Sequence, residues 1–377
     1  MFRPAPWCLW LCSLTGCSLF NGVHVDAVGT SYQKPSNVAA YLSVSDGDKP
    51  ITELSPESFK IYENEQLLSS DDTHQVLLPR ELAAYHHTVL LVDVSGQSGS
   101  SDVLARAAAT FVETVRKKQA VSVFAYGGGP ALRQVAEFGK SADGGSVDLR
   151  ALSRNDGADA SRNLNGALVS GLKELDARLA AQPKTLKVGT LVVFMRGPDL
   201  AGRVPEGQAN AALSQTEHDV LAIGIAERAG RTLANVGKNG TLSAPDDDSL
   251  GIVFEKAAEK AGDLLEKHYL IAYCSPARSG FRRLKIEAHF RNADGDDLVG
   301  TFTDSFDATG FGPGCRSESV PRFVPRPKQV ESNAFKDSKA TKADASEPPS
   351  SAPSAPPPAP GDDDAVVAPP NKPGYSH

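Results

Sequence analysis

Four stretches of the chain are apolar almost without a break: TVLLVDV (88–94), AVSVFAY (120–126), TLVVFM (190–195) and DVLAIGIA (219–226). A strand with one wet face alternates apolar and polar side chains, so continuous runs predict strands covered on both faces, as in a parallel sheet between helices. Covering helices follow from the spacing. Val103, Leu104, Ala107, Ala108, Phe111, Val112 and Val115 share one helical face behind Ser101 and Asp102, residue types that suit a helix start. Leu168, Leu172, Leu175 and Leu179 make a second stripe, and a third helix is predicted over 250–267, behind the acids of PDDDS. Strands alternating with helices predict an α/β fold, a doubly wound and mostly parallel sheet over 85–267.

The flanks read differently. Residues 37–66 and 268–306 alternate and carry the turn dipeptides Asp46-Gly47 and Asp294-Gly295, which predicts two β-meanders. Neither has strands enough to stand alone. The expectation is that they pair, 37–84 with 268–315, into a small β-sandwich-like domain in which the α/β domain is inserted.

Composition changes the picture at the ends. Of the 26 prolines, thirteen lie from Pro321 to Pro373, in a segment with too little apolar periodicity to offset its ordering entropy. Residues 316–377 are therefore expected to be a disordered tail, a solvated spacer or else a proline-rich docking peptide. Acidic and basic residues nearly cancel there, so the net charge of −7 belongs to the rest, which argues against a nucleic-acid partner. The remaining length suffices for two domains.

Residues 1–16 carry one early cation, Arg3, and an apolar core too short to span a bilayer, which predicts a secretion signal. Leu14-Thr15-Gly16-Cys17 resembles the lipobox of bacterial lipoproteins. The resemblance implies an exported protein acylated on Cys17 and tethered through 17–36 to a membrane, the outer membrane since no Asp follows the Cys. The other reading is a generic signal with an incidental Cys. Export leaves Cys274 and Cys315 as the remaining cysteines, and an oxidising compartment suggests that they form one disulfide. No Cys/His spacing suggests zinc.

The motifs LLVDVSGQS (90–98), SRNLNGALVSGL (161–172), LVVFMRGPDLAGR (191–203), DVLAIGIAE (219–227) and HYLIAYCSP (268–276) resemble, in that order, those of von Willebrand factor A domains. The whole span 38–306 is similar to bacterial exported proteins that combine such a domain with flanking β-strands. That resemblance implies protein recognition or adhesion rather than catalysis. It also implies a metal-ion-dependent adhesion site, in which Asp-x-Ser-x-Ser, a Thr and an Asp from three loops hold Mg²⁺ or Mn²⁺ through oxygens.

Carried over residue by residue, that site is mostly broken. Asp93 and Ser95 match, but the second Ser falls on Gln97, the Thr on Arg162 and the Asp on Arg196. At about 5 Å and an effective dielectric near 20, each guanidinium repels a divalent ion by roughly 6 kcal/mol. No cofactor is therefore expected; a cation held despite the arginines would use Asp93, Ser95 and Asp199. The guanidinium of Arg196 or Arg162 is expected to stand where the metal would and to pair with Asp93. Asp93, Ser95, Gln97, Ser98, Arg162, Arg196 and Asp199 form the candidate binding face, and its two arginines imply a protein partner with an acidic surface.

Two other readings stay open. One is a structural envelope protein with no ligand site. The other is a serine hydrolase, since GQSGS (96–100) approaches the Gly-x-Ser-x-Gly elbow, with Ser98, Asp199 and His268 in hydrolase order. Against it, Ser100 replaces the last Gly and His268 opens a strand. The glycine runs YGGGPA and GFGPG read as turns, and His86, His87 and His268 read as ordinary surface or strand residues.

Overall fold

The computed structural model describes residues 22–96, 101–143, 145–153 and 161–325. The signal segment 1–16, Cys17, Gln97, Ser98 and the tail beyond 325 lie outside the described residues.

Six of the described strands make the central sheet: β7 (Ala84–Asp93), β8 (Ala120–Tyr126), β9 (Arg133–Phe138), β10 (Leu186–Met195), β11 (Asp219–Ile225) and β12 (Thr241–Ala244). Their order is β12-β11-β10-β7-β8-β9, parallel throughout except for β9, which runs antiparallel to β8. Helices α1 (Ser101–Val115) and α5 (Leu250–Glu266) cover one face; α2 (Leu164–Ala180), α3 (Glu206–Gln215) and α4 (Ala226–Val236) cover the other. Alternation along β7 shows why its sequence is apolar throughout: Leu90 and Val92 enter the core with Phe111 and Phe254, while Val89 and Leu91 enter the core with Leu168 and Leu172. Each such side chain, fully buried, contributes roughly 1.5–3 kcal/mol. Helix α3 has no sequence stripe, because only Ala209 and Leu213 of it are buried.

The flanks form two further sheets. In the first, β1 (Val23–Gln33), β2 (Asn37–Asp46), β6 (Val76–Leu78), β13 (His268–Cys274) and β16 (Val324–Pro325) run in the order β16-β1-β2-β13-β6, with β3 (Lys49–Pro50) on β2. In the second, β15 (Asp297–Asp307), β14 (Phe281–Arg291), β4 (Phe59–Glu63) and β5 (Gln66–Leu67) run side by side. Strands from before and after the central sheet pair in both, Leu42 with Tyr269 and Ile61 with Ile286. The two sheets share a core that includes Leu42, Ile61, Tyr273, Leu284 and Phe302.

Two expectations are corrected here. Residues 23–33, assigned to a tether, form β1, which pairs with β2 at ten positions. Residues 316–325, assigned to the tail, pack instead, with Ser317 and Phe323 buried and β16 paired to β1. Nor does β2 alternate in the manner of a half-wet strand. Val38, Ala40 and Leu42 face the shared core while Ala39 and Tyr41 face Leu186 and Ala84 of the central sheet, so both its sides are dry. Contact there is close enough that a Cβ on Gly29 would lie 2.8 Å from Leu186 Cδ1.

Of the two readings of the histidines, surface or strand, the structure has the second: His86 and His87 lie in β7 and His268 opens β13, and all three are buried. His86 Nε2 lies 2.7 Å from the Tyr41 hydroxyl, and His268 stacks on the Tyr41 ring at 5.6 Å between centroids. His87 Nε2 lies 2.9 Å from Ser122 Oγ. Burial pushes His86 and His87 down to about 4, with Arg80 and Arg178 respectively adding to it, and holds His268 well below the usual imidazole range. A disulfide joins Cys274, at the end of β13, to Cys315, 41 residues on, with Cα atoms 5.8 Å apart.

Two predictions follow from this packing. The folded state holds three imidazoles neutral, whereas the unfolded chain protonates them near pH 6.5. Their contribution is therefore complete above that pH and is lost as pH falls toward 4, at up to about 1.4 kcal/mol per unit per histidine. Urea unfolding between pH 7 and 4 should show this slope, reduced in His268→Gln; an unchanged slope in that variant contradicts the assignment. Replacing both Cys274 and Cys315 by Ser should cost about 4 kcal/mol in the chain-entropy picture, read as a lower urea midpoint.

Candidate functional site

The site grows from the carboxyl end of β7. The last strand residue, Asp93, is fully buried, and the chain turns away from it through Ser95 and Gly96, whose φ of 62° favours glycine. A carboxylate taken out of water needs donors on both oxygens. Asp93 Oδ1 accepts from the Ser95 amide at 2.9 Å and from its hydroxyl at 2.6 Å. Oδ2 accepts from Arg162 Nε at 2.6 Å and from the Arg196 amide at 2.9 Å.

Arg162 reaches this carboxylate from the segment that enters α2. Its Nη1 donates to the Pro198 carbonyl at 3.0 Å, and its own carbonyl accepts from the amides of Leu200 and Ala201. The loop after β10 is thus wrapped around one arginine. Gly197 lies under the guanidinium: a Cβ there would meet Arg162 Nη1 at 3.0 Å and the Arg228 carbonyl at 3.1 Å. Asp199 staples the same loop to α2, accepting from the Asn165 amide at 3.1 Å and the Gly202 amide at 2.8 Å. An acid at a helix N-terminus is favoured by the helix dipole. Asn163 completes that end, its Oδ1 accepting from the Gly166 amide and its Nδ2 donating to the Gly129 carbonyl.

Arg196 behaves differently from Arg162. Its backbone amide serves Asp93, but its guanidinium turns away, pairing with Asp247 at 2.8 Å and standing over the Phe194 ring at 5.7 Å. The sequence left open which arginine meets Asp93; the side chain that does so is Arg162. Beneath the site, Tyr126 donates to the Phe194 carbonyl at 3.1 Å, and burial, with Asp93 nearby, pushes its phenol well above the usual range.

Two sequence expectations change with this geometry. Both arginines are matched by carboxylates, Arg162 by Asp93 and Arg196 by Asp247, so they leave no surplus charge to select an acidic partner. Ser98 lies outside the described residues, but the other two members of the hydrolase order, Asp199 and His268, do not come together. The His268 ring is 6.1 Å from that of His86, which stands seven residues before Asp93 on the same strand, about 23 Å away along it. Asp199 and His268 are therefore at opposite ends of the sheet.

A hard divalent cation requires about six oxygens with lone pairs turned inward. Here both oxygens of Asp93 face four hydrogen donors, one of them cationic, and those of Asp199 face backbone amides. This donor set does not fit such an ion, and among the described residues no three His, Cys, Asp or Glu cluster as ligands.

Asp247 and Asn163 escaped the sequence reading. Asp247 belongs to PDDDS, read as helix-start acids, and nothing in the 51 residues separating it from Arg196 signals their pairing. Asn163 carried a usable signal, an Asn immediately before the apolar stripe of α2.

Arg162→Ala leaves a buried carboxylate without its cation and should destabilise the protein by about 3 kcal/mol. The double variant Arg162→Ala/Asp93→Ala should recover part of that loss; a cycle with no coupling in urea unfolding would show the pair to be energetically silent.

Comparison with known proteins gives likeness in fold alone. No family model matches the sequence, and no curated protein does. Among solved structures, a von Willebrand factor type A protein from Catenulispora acidiphila is similar at a TM-score of 0.38 and 11% identity, over 75% of this chain and 72% of that one. Proximal thread matrix protein 1 from the mussel byssus is similar at 0.37 and 14% identity, over 48% of each chain, so this chain spans about half its length. Manganese-loaded Plasmodium vivax TRAP protein is similar at 0.32 and 12% identity, over 67% of this chain and 99% of that one.

Proposed function

We propose that this chain is a lipid-anchored envelope protein that recognises another protein through the loops at the carboxyl edge of its central sheet, without a metal ion and without catalysis. The observation that carries this reading is the Asp93 carboxylate, saturated by Ser95, Arg162 and the Arg196 amide. Open α/β sheets bind ligands at this edge, and the motif resemblance to von Willebrand factor A domains implies recognition there. In this chain the cation is a guanidinium built into the protein, so the face is assembled before any partner arrives. Leu200, 64% exposed on the loop held by Arg162 and Asp199, is the apolar contact that the face presents. A pre-ordered loop gives up little conformational entropy on binding. Cys17 is proposed as the acylated residue, on the lipobox resemblance, and the outer membrane as the site of anchoring.

Calorimetric titration of Mn²⁺ or Mg²⁺ into the full chain should show no binding; heat from a saturable site would overturn the metal-free reading. Affinity capture from envelope extracts, run in parallel with Leu200→Asp, tests recognition. A protein retained by the unmodified chain and lost in the variant, with both equally stable to heat, supports it. Capture indifferent to Leu200 would return the protein to a purely structural role. Labelled palmitate should enter the chain and be absent from Cys17→Ser.

A further inference from the structure

The second flanking sheet ends on β15, an edge strand of 11 residues that pairs with β14 alone among the described residues. We propose that this edge joins a second copy of the chain, β15 against β15 in antiparallel register about Thr301, so that two such sheets become continuous. The inference is independent of the reading of the carboxyl edge of the central sheet.

The ladder fixes which backbone groups are left over. In an antiparallel pair the N–H and C=O of one residue point to the same side, and successive residues alternate. The Ala308 amide donates to the Gly280 carbonyl, whereas the Arg283 carbonyl accepts from the Asn64 amide on the β4 side. Even-numbered residues of β14 and β15 are therefore turned toward each other. On β15 the odd-numbered Val299, Thr301, Thr303 and Ser305 turn both groups to the open edge, and all four are exposed. The even-numbered side chains point inward. Phe302 and Phe306 enter the shared core, and Asp304 accepts from the Tyr32 hydroxyl at 2.6 Å and from that of Thr30 at 3.2 Å. Strand β1 thus braces the inner face and leaves the edge bare.

Long edges are ordinarily defended by bulges, charges, prolines or shortness. Strand β1 has a register shift between Ala27 and Gly29 and is partly covered by β16. The β8–β9 pair has a shift at Val123 and Phe124, and β9 carries Arg133 and Glu137. Strand β15 has no shift, no proline and no basic residue, and 298–303 has no charge at all. Its outward-facing acids, Asp297 and Asp307, stand at the two ends, and their placement selects the register. Centring on Thr301 sets it against the second copy's Thr301, Val299 against Thr303 and Asp297 against Ser305. β-branched side chains then face one another across the edge and no acid faces an acid. A two-fold axis makes each of these contacts twice. A copy also brings a strand already ordered and braced, which a free peptide would have to order on binding.

Pairing along one strand edge makes a small interface, so association is expected to be weak. The full chain carrying Cys8→Ser, Cys12→Ser and Cys17→Ser, which removes any acyl chain and the thiols outside the disulfide, is the material to sediment. It should pass from monomer to dimer between about 1 and 300 µM. Thr301→Pro removes an edge-facing amide and no bond to β14. It should weaken the dimer about tenfold or more, two backbone hydrogen bonds being lost per pair, and leave the urea midpoint in place. Thr303→Lys should act likewise, and decides the matter if the proline variant fails to fold. Oxidation should link Thr301→Cys to its copy and leave Asp307→Cys, far from the two-fold axis, unlinked. A chain monomeric throughout overturns the proposal and leaves the edge to a strand of another protein. A dimer indifferent to Thr303→Lys, or linked as readily through Asp307→Cys, overturns it as well.

Discussion

A carboxylate placed with no solvent exposure at the end of a buried strand organises everything around it. Asp93 has two oxygens and four donors, and the donors come from three separate segments: its own turn, the entry to α2 and the end of β10. Leaving any of them unmade would expose the chain to the desolvation penalty of a buried charge. The three loops are therefore tied together by one acid, and Arg162 extends the tie by holding Pro198, Leu200 and Ala201.

That arrangement gives the carboxyl edge a different character from a metal-bridged one. A metal site keeps an open coordination position for a ligand to complete, whereas the Arg162 guanidinium spends its Nε on Asp93 and an Nη1 donor on the Pro198 carbonyl. Under the proposed function, recognition at such a face would depend on shape and on what projects from the loops, since Arg162 and Arg196 are each paired with a carboxylate of the chain.

At the opposite edge the constraint is apolar. The flanking sheet that contains β2 and β13 is dry on both sides, because it closes its own core on one face and meets the central sheet on the other. Tyr41, His86 and His268 sit at that meeting, two of them from the flanks and one from β7. Polar groups there must find partners in the protein, which the Tyr41–His86 contact supplies.

The amino-acid sequence by itself determined the central sheet and its main helices, because strands buried on both faces and helices with a long stripe leave periodic traces that need no distant partner. The strands 88–94, 120–126, 190–195 and 219–226 and the stripes of α1, α2 and α5 are legible for that reason. Asp93 and Ser95 were legible as a site because they adjoin one such strand. Short or weakly patterned elements were not: β9, β12, α3 and β1 exist because a neighbour pairs with them or covers them, and local composition carries no mark of the neighbour. Only the tertiary structure decided that the Arg162 rather than the Arg196 side chain meets Asp93, that Arg196 goes to Asp247, and that His86, His87 and His268 are buried. Those choices depend on which side chains lie within hydrogen-bond reach after folding, and reach across 51 or 69 residues of chain is a property of the packed molecule.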